Sequence, residues 1–185
     1  MPSYNIKKVA NAVRSFAPSC GDTRVISIDG PAGSGKSTLA SALSHELDEC
    51  PIVHMDDLYD GWSQDLTNDL ADRIQQWILE PIARGVDAQH LKYDWQAGKF
   101  SDIVSVPCGP FLILEGVGSG NSLIRHLVSY AIWIESEHRL LVERVVARDG
   151  EQLRSEIIRW QQNEANYFAQ HHVKEASHVR LRGDG

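Results

Sequence analysis

Glycine, lysine and hydroxyl side chains are concentrated in one short stretch, GPAGSGKS, which ends at Ser37. An apolar β-branched run precedes it and a segment with helical spacing follows it, which is the context that a phosphate-binding loop requires. Glycine lets main-chain N–H groups point inward, and the positive end of the following helix attracts anions. Lys36 would reach the outer phosphates of a nucleotide, Ser37 would ligate Mg²⁺, and Thr38 would hydrogen-bond an inner phosphate. The residues predicted to bind the nucleotide are Gly30, Ala32, Gly33, Ser34, Gly35, Lys36, Ser37 and Thr38.

Adjacent carboxylates follow the next predicted strand, in the stretch HMDDLYDGW. A hydroxyl acceptor that attacks a γ-phosphate benefits from a carboxylate that accepts its proton, whereas a phosphate acceptor needs arginines. The two acids favour an alcohol acceptor with Asp56 as the base, although Asp57 remains open for the same role. Asp57 is also a candidate Mg²⁺ ligand. Alternatively, Asp57 or Asp60 caps the next segment while Asp56 only helps to hold Mg²⁺. Tyr59 and Trp62 are predicted to line the acceptor pocket, beside Asp56.

Two further stretches supply candidate ligand-binding side chains. KYDWQAGK combines Tyr93, Asp94 and Trp95, a mixture suited to a polar ligand that carries a ring. The alternative for this stretch is a surface hairpin with a structural tryptophan. Glu115 ends the apolar run FLIL, where a carboxylate would position a water ligand of Mg²⁺ or contact the acceptor. A capping or turn role for Glu115 is the alternative.

Two arginines lie four residues apart on a predicted helix. This spacing places Arg144 and Arg148 on one face, where both would meet phosphates. Such cations neutralise charge that develops on a transferred phosphoryl group, and a glycine turn after the helix would let this end close as a lid. The alternative is a solvated helix in which Glu143 and Glu151 pair with the arginines.

The composition narrows the class of protein. The chain has 185 residues, enough for one domain with a substantial core. Its formal net charge of -7 argues against a nucleic-acid polymer as partner. Three widely spaced cysteines, an odd number, predict reduced thiols and a cytoplasmic location. No apolar run is long enough for a bilayer, so no membrane association is expected.

Predicted strands and helices alternate along the chain. Apolar runs predict strands at 25–29, 51–55, 111–116, 131–134 and 178–181. Helical spacing predicts helices at 4–17, 37–49, 66–78, 121–128, 137–147 and 151–171. Pro81 is expected to kink or end the third helix. Residues 90–110 are expected to be irregular. Glu164, on the last helix, is expected either to face the site or to pair with an arginine. The alternation predicts an α/β fold with a mainly parallel sheet, helices on both faces, and ligands beyond the carboxyl ends of the strands.

The ordered set IDGPAGSGKST, HMDDLYDGW, YDW, LILEGVGSG and RVVARDG resembles the P-loop kinases related to uridine kinase, particularly small bacterial uridine-kinase-like proteins. The resemblance covers nearly the whole chain. It implies a three-layer P-loop kinase fold with a five-stranded parallel sheet, and ATP- and Mg²⁺-dependent transfer to the 5′-hydroxyl of a nucleoside. Uridine kinases carry a D-x-x-Y pattern whose Asp is taken as the base, and Asp56 and Tyr59 reproduce it. The lid arginines carry over to Arg144 and Arg148.

The same resemblance implies a single P-loop kinase domain over residues 1–185, with an acceptor-binding segment at about 56–108 and a lid at about 139–151. IDGPAGSGKST also resembles cytidylate kinases, which bind a nucleoside monophosphate with several arginines, whereas Arg73 and Arg84 are the arginines between residues 59 and 110. A third interpretation is a nucleotide sensor without acceptor chemistry, because the loop predicts phosphate binding and not transfer. The sequence leaves open the acceptor, the phosphate donor, the adenine-binding residues and the oligomeric state, a homodimer included.

Overall fold

A five-stranded sheet forms the centre of the chain, of which the computed structural model describes residues 4–61, 66 and 68–183. The strands are β1 (Arg24–Asp29), β2 (Ile52–His54), β3 (Ala88–Asp94), β4 (Lys99–Val106), β5 (Phe111–Glu115), β6 (Tyr130–Glu135) and β7 (Val179–Arg182). The helices are α1 (Ile6–Ser15), α2 (Lys36–Glu46), α3 (Asn68–Arg73), α4 (Glu80–Ala83), α5 (His138–Asp149) and α6 (Arg154–His171).

The main sheet has the strand order β2-β5-β1-β6-β7, and every neighbouring pair in it is parallel. Parallel strands have their carboxyl ends at one edge of the sheet. In this register Ile28 pairs with Glu115, and Glu115 pairs with His54. Residues that are far apart in the sequence therefore meet at that edge. The prediction of a mainly parallel five-stranded sheet is confirmed, with all five predicted strands present as β1, β2, β5, β6 and β7.

Each face of the sheet has its own apolar core. Ile113 of β5 packs in a core with α1 and α2, whereas its neighbours Leu112 and Leu114 pack in a core with α3 and α6. Successive side chains of a strand point to opposite faces, so a strand that is buried on both sides is apolar throughout. The result is the predicted arrangement of three layers.

The helical segment that contains Pro81 continues beyond the proline. A π-helical segment, Ile74–Leu79, separates α3 from α4, and Pro81 lies in the first turn of α4. A proline is tolerated there because the N–H groups of a first turn have no partner within the helix. Of the two outcomes expected at Pro81, a kink or an end of the helix, the end is wrong, and the irregular hydrogen bonding lies before the proline, in Ile74–Leu79.

Residues 90–110, which were expected to be irregular, belong largely to an antiparallel hairpin. Strands β3 and β4 form this two-stranded sheet apart from the main one. The cross-strand pair Leu91 and Ile103 is exposed, with 36% and 68% of the residue surface accessible. Burial alternates over residues 88–91, but the exposed face carries the apolar residues Leu91 and Ile103, so the sequence lacks the apolar–polar alternation of a half-buried strand.

The helix predicted at 121–128 is also wrong, since the structure has a single 3₁₀ turn there, Arg125–Leu127. The side chain of Asn121 accepts a hydrogen bond from the main-chain N–H of Leu123 at 2.9 Å. An asparagine that bonds to its own local backbone competes with helix formation.

The predicted reduced cysteines Cys20, Cys50 and Cys108 are free thiols. Burial raises the pKa of the Cys20 and Cys50 thiols to about 11, so both stay protonated near neutral pH. Among the described helices, none has the length and apolar character that crossing a bilayer requires.

Candidate active site

The predicted phosphate loop connects β1 to α2 and lies tightly against its surroundings. Gly30 follows β1 with a φ of +147°, and a Cβ atom added there would lie 2.0 Å from the main-chain oxygen of Ile134 in β6. Gly183, which follows β7, is so close to the loop that an added Cβ atom would lie 1.9 Å from the main-chain oxygen of Ser34. Glycine is required at both positions, so the shape of the loop depends on β6 and on the residue after β7.

We expect Gly30→Ala to lower the free energy of unfolding more than Gly85→Ala does. Both glycines have a positive φ, +147° and +74°, but a Cβ atom added to Gly85 would meet nothing within 4 Å. Strained backbone costs about 1–3 kcal/mol at either position, and only Gly30 adds a collision with the main chain of Ile134. Urea-induced unfolding of the two variants measures the difference, and equal losses would contradict a rigid approach of the loop to β6.

Lys36 begins α2 and folds back over the loop. Its Nζ atom donates to the main-chain oxygens of Gly30 at 2.7 Å and Pro31 at 2.9 Å, and the residue is buried. The first N–H groups of α2 have no partner within the helix and carry its positive end. An anion that binds at this end would meet these N–H groups and could take the ammonium from the two carbonyl oxygens.

Glu115, at the end of β5, joins the loop to β2. The Oγ atom of Ser37 donates to Glu115 Oε1 at 3.2 Å, and His54 Nδ1 donates to Glu115 Oε2 at 2.6 Å. The hydrogen bond to Glu115 raises the pKa of His54. Glu115 is buried, so these two bonds fix the direction of its carboxylate.

Ser37 and Glu115 offer the hydroxyl and carboxylate oxygens that Mg²⁺ prefers. The described residues include no group of three or more His, Cys, Asp or Glu side chains that could hold a metal ion. Mg²⁺ in proteins usually keeps several water ligands and is held by one or two carboxylates together with substrate phosphates. The donor set therefore fits a Mg²⁺ ion that shares its coordination with a bound triphosphate.

Asp56 lies in the short 3₁₀ turn directly after β2. Its carboxylate opens into a cleft with solvent, but protein atoms surround it, and this partial desolvation together with the charge of Glu115 raises its pKa. The positive charges of Lys36, Arg148 and His54 lower the same pKa. The main-chain oxygen of Asp56 accepts a hydrogen bond from Trp95 Nε1 at 3.2 Å, so the β3–β4 turn is attached to the segment that carries the acid.

One cleft of about 990 Å³ brings most of the predicted site residues together. Its walls come from the phosphate loop, the turn after β2, the β3–β4 turn, the segment after β5, and the facing parts of α5 and α6. The predicted residues that line it are Ala32, Gly33, Gly35, Lys36, Ser37, Thr38, Asp56, Tyr59, Trp95, Glu115, Arg144 and Arg148. Its other lining residues include Gln96, Leu153, Ile157 and Trp160.

The two predicted arginines reach the cleft from α5. Arg144 Nη1 donates to Ser136 Oγ at 2.8 Å and to the main-chain oxygen of Gly33 at 3.3 Å, while Arg148 pairs with Asp149. The acids that were the alternative partners, Glu143 and Glu151, pair instead with Arg154 at 2.9 and 2.6 Å.

Several predicted residues do not line the cleft. Gly30 and Ser34 are buried within the loop, and the amide of Ser34 donates to the oxygen of Pro31. Asp57, a candidate Mg²⁺ ligand, forms an ion pair with Lys92 at 3.1 Å. The side chain of Asp57 therefore lies toward β3. Trp62 lies outside the described residues.

The KYDWQAGK stretch forms the tip of the β3–β4 hairpin. Asp94 Oδ1 accepts hydrogen bonds from the amides of Gln96 and Ala97 at 2.8 and 2.9 Å, which stabilises the turn. Tyr93 is buried and packs edge to face against Trp95, with ring centroids 5.3 Å apart. The backbone of this stretch is therefore a hairpin, as the alternative interpretation expected. Of the three residues predicted to bind a ligand, Tyr93, Asp94 and Trp95, only Trp95 lines the cleft.

Two buried acids lie beside the loop: Asp29, which was given no role from the sequence, and Glu164, which was expected either to face the site or to pair with an arginine. Asp29, the last residue of β1, accepts hydrogen bonds from the amide of Gly120 at 2.9 Å and the hydroxyl of Tyr167 at 3.0 Å. Burial raises its pKa to about 6, against the effect of these hydrogen bonds. Glu164 of α6 accepts a hydrogen bond from the loop amide of Ala32. The sequence signal for Asp29 is its position directly before Gly30, the first glycine of the loop. The signal for Glu164 is that it interrupts the apolar face of a helix.

We compared the sequence and the structure of the chain with those of known proteins, and the structures identify its fold. No family model matches the chain, and no curated protein sequence matches it. A possible uridine kinase from Bacillus stearothermophilus is 17% identical, with 95% of this chain and 96% of that chain covered and a TM-score of 0.68. The chain has the fold of a P-loop kinase. A candidate fructose transport system kinase from Silicibacter sp. TM1040 is also 17% identical, with 97% and 98% covered and a TM-score of 0.52. The predicted P-loop kinase fold is thus confirmed, and one of the structures that share it is that of a possible uridine kinase.

Proposed function

We propose that the protein is a small-molecule kinase that transfers the γ-phosphoryl group of ATP, with Mg²⁺, to a hydroxyl group of a nucleoside-like acceptor. The observation that carries the proposal is the single cleft that joins Lys36 and Ser37 of the phosphate loop to the carboxylate of Asp56. A phosphate-binding loop and a candidate base in one cleft are what direct transfer to a hydroxyl requires.

A hydroxyl acceptor is favoured over a phosphate acceptor by the charges of the cleft. Within the described residues that line it, the cations are Lys36, Arg144 and Arg148. Lys36 belongs to the phosphate loop and Arg144 contacts that loop, so both are suited to the donor phosphates. Arg73, a candidate ligand for an acceptor phosphate, donates to the oxygen of Leu58 and packs on Phe100, and does not line the cleft.

A ring-bearing acceptor is favoured by the aromatic side chains near Asp56. Tyr59, Trp95 and Trp160 all line the cleft, and the ring centroid of Tyr59 lies 6.5 Å from that of Trp95 and 5.1 Å from that of Trp160. Aromatic surfaces bind planar rings through stacking and edge contacts. The resemblance to uridine kinases and the fold shared with a possible uridine kinase point to a nucleoside.

In the proposed reaction, Asp56 accepts the proton of the attacking hydroxyl. Lys36 and the first N–H groups of α2 hold the donor phosphates, and Arg144 and Arg148 stabilise the charge on the transferred group. Ser37 and Glu115 would hold Mg²⁺, which neutralises phosphate charge when it is bound. Closure of the α5 end over the cleft would exclude water, so that the acceptor is phosphorylated and ATP is not hydrolysed.

A panel of acceptors tests the proposal. The protein is incubated with ATP and Mg²⁺ and, separately, with uridine, cytidine, adenosine, guanosine, fructose, CMP or UMP, and ADP release is measured. We expect release that depends on a nucleoside. Release that depends on CMP or UMP alone would indicate a monophosphate kinase, and slow hydrolysis that no acceptor changes would indicate a nucleotide sensor. A Lys36→Met preparation controls for contaminating kinases.

The cytoplasm is the proposed location, because buried thiols such as Cys20 and Cys50 persist in a reducing compartment.

A further inference from the structure

Glu164 contacts the phosphate loop directly from α6. Its Oε2 atom accepts a hydrogen bond from the main-chain N–H of Ala32 at 3.0 Å, and Oε1 lies 3.3 Å from the same nitrogen. The residue is 3% exposed. Trp160, one turn earlier on α6, also hydrogen-bonds to the Glu164 side chain. A buried carboxylate therefore fixes one amide of a loop that is built to bind anions.

The groups that face Glu164 come from three other elements. Lys36 of α2 favours its charged form, whereas Asp29 of β1 favours its neutral form. Tyr59, from the segment after β2, is a neutral phenol whose pKa burial raises well above its usual value. Two buried acids thus share the charge of one buried ammonium, which in this structure is hydrogen-bonded to loop carbonyl oxygens.

Binding of a polyphosphate would change this balance of charge. The phosphates bring several negative charges to the loop and attract the ammonium of Lys36. A nearby like charge favours the neutral form of a carboxyl group. Burial has already raised the pKa of Glu164 to about 7, so a modest further increase changes its protonation near neutral pH. The neutral acid can still accept the hydrogen bond from Ala32 through its carbonyl oxygen.

We propose that Glu164 is a positioning residue that holds the phosphate loop through the Ala32 amide and takes up one proton when a polyphosphate binds. The proton comes from the buffer, forms an O–H bond on one carboxylate oxygen, and returns to solvent when the nucleotide leaves. This inference rests on the proposed nucleotide binding at the loop. It makes the affinity for ATP depend on pH through a group that does not take part in the transfer.

Calorimetry with Mg²⁺ and ATP measures the proton directly. Binding heats at pH 7.5 in buffers of different ionisation enthalpy give the number of protons taken up per nucleotide. We expect net uptake in the wild type and a smaller uptake in Glu164→Gln, whose side-chain oxygen still accepts from Ala32 and preserves affinity. Glu156→Gln, a partly exposed glutamate of the same helix, should match the wild type. The uptake measured in Asp29→Asn shows how much of the proton uptake belongs to Asp29.

A second measurement uses the wild type alone and does not depend on the folding of a variant. The Kd for ATP with Mg²⁺ should rise above pH 7, by up to about tenfold per pH unit for one linked proton. Glu164→Ala, which removes the acceptor, should bind more weakly than Glu164→Gln if both fold. Uptake that is equal in Glu164→Gln and the wild type, or a Kd that does not change with pH, would overturn the inference. A wild type that binds no nucleotide would instead overturn the proposed function.

Discussion

Replacement of Asp56 by asparagine should lower kcat by about 10²–10⁴-fold, the usual contribution of a positioned general base. Asparagine has the same shape and leaves the hydrogen bond from Trp95 to the main-chain oxygen of residue 56 in place. It cannot accept the proton of an attacking hydroxyl. The binding of ATP should change little, because Lys36 and the loop amides remain. Initial rates with the acceptor identified in the panel, and ATP binding by calorimetry, measure the two effects.

The pH profile provides an independent check on Asp56. Because partial desolvation and Glu115 raise its pKa, the acidic limb of kcat/KM should lie above the usual range of an aspartate. This limb should be lost in Asp56→Asn. Asp60→Asn is the matched control, since Asp60 is an exposed acid that pairs with Arg73. Asp57→Asn tests the neighbouring acid. Near-normal turnover in Asp56→Asn together with a large loss in Asp57→Asn would assign the base to Asp57.

Replacement of Lys36 by methionine should weaken ATP binding and lower turnover by about 10²-fold or more, as is typical when one preorganised donor to a developing charge is removed. Methionine fills a similar volume but cannot donate to phosphate. The change also removes the buried cation beside Asp29 and Glu164, so the pKa values of both acids should rise further. Binding is measured by calorimetry, and folding by circular dichroism and by thermal unfolding.

Lys8→Met on the exposed side of α1 is the matched control for this substitution. It should retain the affinity and the turnover of the wild type. A Lys36→Met protein that is folded and binds ATP with normal affinity would contradict the assignment of this loop as the triphosphate site.

The sequence predicts those parts of the site whose positions depend on local structure or on where a strand ends. The loop from Gly30 to Ser37 follows from glycine spacing between a strand and a helix, and the carboxyl ends of parallel strands share one edge. Asp56 and Glu115 therefore follow from their positions just after, or at the end of, buried strands. Both line the cleft with Lys36.

The parts that the sequence does not predict depend on burial and on non-local pairing. The contact between His54 and Glu115 requires β2 to lie beside β5 and not beside the central strand β1, and no local pattern specifies that order. The exposed apolar pair Leu91 and Ile103 removes the apolar–polar alternation by which a half-buried hairpin is recognised in a sequence. Glu164 stands out in the sequence as an acid that interrupts an apolar helix face, but its contact with the Ala32 amide follows only once α6 is placed against the loop.

The contact between Gly183 and Ser34 has a consequence for the order of events on the ribosome. The residues of the loop are made early, but residue 183, which packs against the main chain of Ser34 where β7 is paired with β6, is made much later. A nascent chain that has not yet released residue 183 from the exit tunnel therefore lacks the complete cradle. The proposed nucleotide binding should therefore reach its full affinity only after that release.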